Sequence, residues 1–186
     1  MAPYITEYLD IVNPDGTRTG KTISRHHAHA TGALHRTVHV WVCDDQGNLL
    51  LQKRARTKRS YPDLWDTSCA GHISAGQESL QAAVREMVEE LGIEISETEL
   101  KRIGTLPQSL VQKDKGRIDN ELTDIYLLLK NIPLEKIVCD PAEVAGVRYV
   151  HFSELQKMVL DHDPQLVPHD PEYELLFLSL SRCAGF

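Results

Sequence analysis

Between Ser79 and Gly92 the apolar residues recur with helical period. Leu80, Ala83, Val84, Met87, Val88 and Leu91 fall at i, i+3, i+4, i+7, i+8 and i+11 and make one stripe. Ser79 is the expected N-cap and Gly92 the expected residue just past the C-terminus. Alternating or short apolar runs predict strands over 4–12, 36–43, 48–53, 100–106 and 121–129, with a short one inside 143–152. Asn13-Pro14-Asp15-Gly16 closes the first as a turn, and Asp44-Asp45-Gln46-Gly47 joins the second to the third as a hairpin. The polar stretch 112–120 is expected as a loop, and 133–139 as a loop or short strand. Two later helices are predicted: 154–160, capped by Ser153, and 171–182, with Pro171 at its first position. Residues 161–170, rich in Pro, Asp and His, are a loop, with His162 and His169 expected at the surface. No internal repeat and no long linker is present, so residues 1–186 are expected to form a single domain. It divides into an N-terminal strand and histidine-rich lead-in (1–32), a core (33–158) and a C-terminal loop and helix (159–186).

Opposite the apolar stripe lie Arg85, Glu86, Glu89 and Glu90. Glu86 faces both Glu89 and Glu90, and like charges at those spacings cost a few tenths of a kcal/mol per pair. A hard divalent cation would remove the conflict, because Mg²⁺ prefers carboxylate oxygens. A solvated acidic face is the plain alternative for REMVEELG alone. The flanks weigh against it, since a Gly-rich loop leads into the helix and a second Gly ends it. The stretch Gly71–Ile93 resembles the box of the Nudix family, with Gly71, Arg85, Glu86, Met87, Glu89, Glu90, Gly92 and Ile93 at matching positions. Gln77 stands where the family has a Glu that braces the loop against the helix.

Composition narrows the partners. The 186 residues are 41% hydrophobic and 25% charged, ordinary for a globular domain. A net charge of −7 argues against a general nucleic-acid binder. No secretory signal is visible in MAPYITEYLD, and no apolar run approaches the length of about 18 residues that a membrane span needs. Cys43, Cys69, Cys139 and Cys183 show no C-x-x-C spacing, and free thiols in a reducing cytoplasm are expected.

Further residues carry candidate chemistry. His26, His27, His29 and His35 crowd one segment, which is either a metal-binding cluster or a hydrophilic loop entering a strand. His39, on the following strand, is expected to be packed or hydrogen-bonded. Lys53–Arg59 is a dense basic run in an acidic chain, suited to a polyanionic substrate. Trp65 is expected to pack inward. Here a closer resemblance enters, to type I isopentenyl-diphosphate isomerases, over about residues 5–125. It implies diphosphate-binding roles for Arg25, Arg54 and Lys58. It also implies a second metal site from His29, His35, His72, Asp119 and Glu121. One position departs: the isomerases place a catalytic Cys just before Gly-His, and here that residue is Ala70. Cys69 is one residue early, and one residue on a strand turns a side chain to the opposite face.

Both resemblances imply an α/β/α sandwich with a mixed β-sheet and the box helix at the active site. The implied chemistry is Mg²⁺-dependent (or Mn²⁺-dependent) hydrolysis of a diphosphate linkage in a small-molecule or nucleotide-type substrate. Glu86, Glu89 and Glu90 would hold the metal, and Glu89 or Glu121 would accept the water's proton. An isomerase is the first alternative and a non-catalytic metabolite sensor the second. The expected partner is a small-molecule diphosphate, with no nucleic-acid polymer and no membrane; homodimerisation is left open.

Overall fold

The computed structural model describes residues 6–183, so the part of the first expected strand at 4–5 and the side chain of Cys183 lie outside the described residues. The chain opens with a hairpin, β1 (Tyr8–Val12) and β2 (Arg18–Ser24), around the predicted turn at Asn13–Gly16. The histidine-rich segment is neither a loop nor a strand lead-in. It is a short helix, α1 (Arg25–Thr31), capped by the Ser24 side chain and closed by Gly32 in the left-handed region. A seven-residue helix shows too little periodicity to be read from sequence.

The main sheet is mixed. Strand β3 (His35–Cys43) pairs in parallel with β8 (Arg117–Leu129) along its whole length, and β8 pairs antiparallel with β7 (Leu100–Gln112). On its other side β3 meets β4 (Asn48–Arg54) at one pair only, Cys43 with Leu49. The two strands then diverge. Beside β3 the gap is filled by β6 (Cys69–His72), and beside β4 by β5 (Trp65–Asp66) and β9 (Val144–His151). The predicted loop at 112–120 shrinks to one 3₁₀ turn, Lys113–Lys115, because both strands of the β7–β8 hairpin run on past it. Asp119 and Glu121 are therefore strand residues that share a face.

Alternation sorts the core into two layers. Val38, Val40 and Val42 of β3 pack with Ala82, Ala83, Met87 and Leu91 of the box helix α2 (Ser79–Leu91). Trp41, Cys43, Ile125 and Leu127 pack on the opposite face with Leu155 of α3 (Phe152–Leu160) and Tyr173, Leu176 and Leu180 of α4 (Asp170–Cys183). Each fully buried aliphatic side chain contributes about 1.5–3 kcal/mol to this α/β/α sandwich. Gly104 lets α4 approach β7, since a Cβ there would lie 2.7 Å from Leu175. Two cap expectations are corrected. Glu78, not Ser79, is the N-cap of α2, with Gln81 completing a capping box; this frees Ser79 to bond Asp124 from inside the helix. His151, not Ser153, caps α3. No helix among the described residues is long and apolar enough to cross a membrane.

Candidate metal centre and substrate cavity

The odd residues of β3 that face α4 continue toward the strand's start as His39, Thr37 and His35. The parallel register sets Glu121 of β8 beside His35. The antiparallel register of β6 sets His72 opposite Thr37 and Ala70 opposite His39. Helix α1 then delivers His29 over the top. Four donors result, from His29, His35, His72 and Glu121, all within 4.8 Å of one another. Nε2 of His29 lies 3.1 Å from Nε2 of His72, and Glu121 Oε1 lies 3.4 Å from His35 Nε2 and 3.7 Å from His72 Nε2.

This donor set fits a divalent cation. Nδ1 of His35 donates to the Ala33 carbonyl at 2.8 Å, which leaves the Nε2 lone pair aimed into the cluster. That Nε2 is fully buried and has no hydrogen-bond partner, a state that costs about 1–3 kcal/mol unless something fills it. Burial first, and then the charges of Arg25, His35, His29 and Arg117, holds the His72 pKa well below its ordinary value. His72 is thus neutral, as a ligand must be. Three imidazoles and one carboxylate suit Mn²⁺, Zn²⁺ or a similar metal better than Mg²⁺. Asp119, expected among the ligands, lies outside this four-donor group and beside His29 at the cavity wall. Its Oδ1 lies 2.8 Å from His29 Nδ1 and 2.8 Å from Arg117 Nε, in neither case along a good hydrogen-bond direction, and it accepts from Ser60 at 3.2 Å. Burial opposes its charge, but His29 and Arg117 prevail and keep its pKa below the usual range.

The box helix is arranged differently from the expected polar arc. Glu86 and Glu90 are buried, and Glu89 is exposed and pairs with Arg85 at 2.6 Å. Among the described residues the three carboxylates do not converge on one point. The reason is the close approach of α2 to β6. Glu86 folds over Gly71, where a Cβ would lie 1.9 Å from Glu86 Cδ. Glu90 Oε2 accepts from the Ala70 amide at 3.2 Å and from Gln52 at 3.3 Å. Burial, with Glu90, Glu89 and Glu7 nearby, pushes the Glu86 pKa up to about 8 against the pull of Arg85. Gln77 does brace the loop: its Oε1 accepts from the Ser74 amide at 3.3 Å and from Arg85 at 3.4 Å.

A cavity of about 1020 Å³ opens in front of the histidine cluster and is lined by His29, His72, Glu121, Arg25, Arg54 and Lys58, among others. None of the three box glutamates lines it. Arg25, Arg54 and Lys58 each already hold an acid. Arg25 pairs with Glu7 at 2.9 Å and Lys58 with Glu143. Arg54 donates to the buried Asp66 at 2.8 Å and to the Ser60 carbonyl at 3.1 Å. The first two are partly exposed pairs, worth about 0–1 kcal/mol and easily exchanged for a phosphate. Arg54 is tied to structure. Cys69 is buried in the core under α2 while Ala70 lines the cavity, as strand alternation requires. Trp65 is half-buried under the Arg148 guanidinium, 4.1 Å from its ring.

A second polar cluster lies in the same cavity and left little trace in the sequence. Glu172 of α4 receives His39 Nδ1 at 2.8 Å, Trp41 Nε1 at 2.8 Å and Gln108 Nε2 at 3.0 Å. His39 is hydrogen-bonded, as expected. His169 is not a surface residue: its Nε2 bonds Asp66 at 2.9 Å and its ring meets that of His39 at 5.1 Å. His162 is exposed.

The comparisons with known proteins agree with this architecture. Residues 33–170 match the NUDIX domain, so the chain belongs to the Nudix family. Its relatives include proteins named Nudix hydrolases and proteins named isopentenyl-diphosphate Delta-isomerases. It is 40% identical to a protein of Arabidopsis thaliana named Nudix hydrolase 3 over 183 residues, which are 95% of this chain and 24% of that one. The chain thus spans about a quarter of that relative. An uncharacterized Nudix hydrolase of Listeria monocytogenes is 35% identical across 82% of this chain and 84% of its own. An isopentenyl-diphosphate Delta-isomerase of Streptomyces avermitilis is 34% identical across 79% and 72%. Among solved structures, the DR0079 protein of Deinococcus radiodurans shares the fold at a TM-score of 0.67 and 23% identity, covering 92% of this chain and 98% of its own.

Proposed function

We propose that the protein is a divalent-metal-dependent hydrolase that cleaves a diphosphate linkage in a small-molecule substrate within this cavity. The observation that carries the reading is the convergence of His29, His35, His72 and Glu121 on a cavity edged by exchangeable basic groups. A cation held by these four residues would supply Lewis acidity toward a phosphoryl oxygen. The chain's own groups do the rest. Arg25 and Lys58 turn from Glu7 and Glu143 to the diphosphate. Glu121 lines the cavity, whereas Glu89 lies outside it; with Oε1 turned to His35 and His72, the other carboxylate oxygen of Glu121 is the proposed base. Water attacks phosphorus, its proton passes to Glu121, and the bridging P–O bond breaks. Arg117 Nη2 lies 3.1 Å from His29 Nε2 and would have to give up that contact for His29 to hold a cation through Nε2. Glu86 and Glu90 are proposed to hold Mg²⁺ by their all-oxygen chemistry, with Glu89 the outermost of the three; a cation there would favour the ionised form of Glu86, which burial opposes.

The isomerase reading is favoured by the same four donors and opposed by Ala70, which has no proton to give. One experiment separates the two. Diphosphates including ADP-ribose and isopentenyl diphosphate are incubated with Mg²⁺ or Mn²⁺, with and without chelator, and products are read by NMR in D₂O. Hydrolysis products that vanish with chelator are expected. Deuterated dimethylallyl diphosphate as the main product would replace the hydrolase reading with the isomerase one.

A further inference from the structure

The buried cluster around Glu172 has no part in the chemistry above, yet it is built as firmly as the metal centre. Glu172 accepts hydrogen bonds from His39, Trp41 and Gln108. Asp66 is held in the same way by His169, Arg54 and the Thr67 amide at 2.8–2.9 Å. With Nδ1 of His39 committed to Glu172, its other nitrogen has no protein partner among the described residues and is absent from the buried unpaired atoms. It therefore faces the cavity that the ring lines, beside Ala70. His39 stands four residues beyond His35 on the same face of β3, about 13 Å along the strand at about 3.3 Å per residue. That is farther than a diphosphate spans, so with a diphosphate at the metal centre His39 would meet the group attached to it.

We propose that the His39–Glu172 pair is the specificity determinant for that attached group: His39 Nε2 donates a hydrogen bond to an oxygen of a hydrophilic, hydroxyl-bearing moiety and rejects an isoprenoid chain. The proposal rests on the diphosphate reading of the cavity. An apolar chain laid against this wall would strip water from His39, His169 and Arg54 and return no hydrogen bond. A site built around donors discriminates strongly against analogues that lack the acceptor. Burial works against charge on His39, but Glu172 overrides it, with smaller help from Asp66 and Glu121, and the pKa rises to about 9. The donor is thus in place at neutral pH. Glu172 comes from the first turn of α4, so the C-terminal helix completes the cavity through this contact. Glu172 is a positioning residue and His39 the contacting one.

The test is calorimetric binding, not turnover, so a failure to hydrolyse would sink the proposed function without deciding this point. The probes are ADP-ribose, isopentenyl diphosphate and methylenediphosphonate, each titrated with Mn²⁺ present into wild type, His39→Leu, His39→Gln and Glu172→Gln. Wild type is expected to bind ADP-ribose at least tenfold more tightly than isopentenyl diphosphate. His39→Leu and Glu172→Gln should weaken ADP-ribose by at least tenfold and leave methylenediphosphonate unchanged. His39→Gln, which keeps a donor, should recover part of the loss and guards against a misfolded Leu variant. Equal wild-type affinity for the two organic probes, or an equal loss for ADP-ribose and methylenediphosphonate in His39→Gln, would overturn the proposal.

Discussion

Gly71 shows how much one missing side chain decides. Its bare Cα is the seat of the Glu86 carboxylate, and any Cβ would fall within 1.9 Å of it. The end of Glu86 is flexible, so Gly71→Ala should push the carboxylate out rather than unfold the strand. Turnover is expected to fall by at least about 10²-fold, the scale of losing one charge-stabilising group, with a melting temperature near that of wild type. Wild-type turnover in Gly71→Ala would mean that the seated carboxylate is idle. Arg54 behaves in the opposite way. The basic run suggested a substrate ligand, but its two hydrogen bonds go to Asp66 and Ser60. Arg54→Ala should therefore lower stability by about 1–3 kcal/mol through the buried acceptor it abandons, and denaturant unfolding reads this directly. Unchanged stability with a raised KM would restore the substrate role. The facing of Cys69 and Ala70 was legible beforehand, because strand period is rigid. The burial of Glu86 was not, because helical period alone placed it on the polar arc and only the approach of β6 turns it inward.

At the level of elements, the box helix, the β3–β4 turn, β9 and α4 are readable from period and turn chemistry. Helix α1 and strand β2 are not, since one is too short and the other, RTGKTIS, lies exposed without an apolar face. The length of the β7–β8 hairpin was also hidden, because polar residues in 112–120 continue its pairing beyond the core. The contact between β3 and α4 joins residues 133 positions apart, and no local pattern announces it. It does have a measurable signature. Glu172 raises the His39 pKa from 6.5 to about 9, so the folded state holds this proton more tightly than the unfolded chain. The stabilisation is fully present below about pH 6.5 and is lost as pH rises through about 9. Melting temperature should fall across that window, and less steeply in His39→Gln. Glu86, raised to about 8, adds a slope of the same sign, so the difference between the two proteins isolates His39. Parallel melting curves for both would remove the ion pair from the account.

For the molecule as a whole, divergence of β3 from β4 after a single pair is what makes a site possible. The opening is flanked by β6, roofed by α1 and closed by α4, and elements from both ends of the chain meet in it. Family membership and the sandwich were legible in Gly71–Ile93. The centre itself was legible only as a set of names, because convergence of His29, His35, His72 and Glu121 depends on a parallel register and a helix that the sequence conceals. The central claim is that these four residues hold the cation on which hydrolysis depends. His35→Gln tests it most directly, since the ring is fully buried and its Nε2 has no other partner. Mn²⁺ titration and diphosphate turnover are measured on the same samples of wild type and variant. The account predicts one tight Mn²⁺ equivalent per wild-type chain, its loss in His35→Gln, and a matching fall in turnover of at least about 10²-fold. Full turnover in a His35→Gln protein that has lost this Mn²⁺ would contradict it.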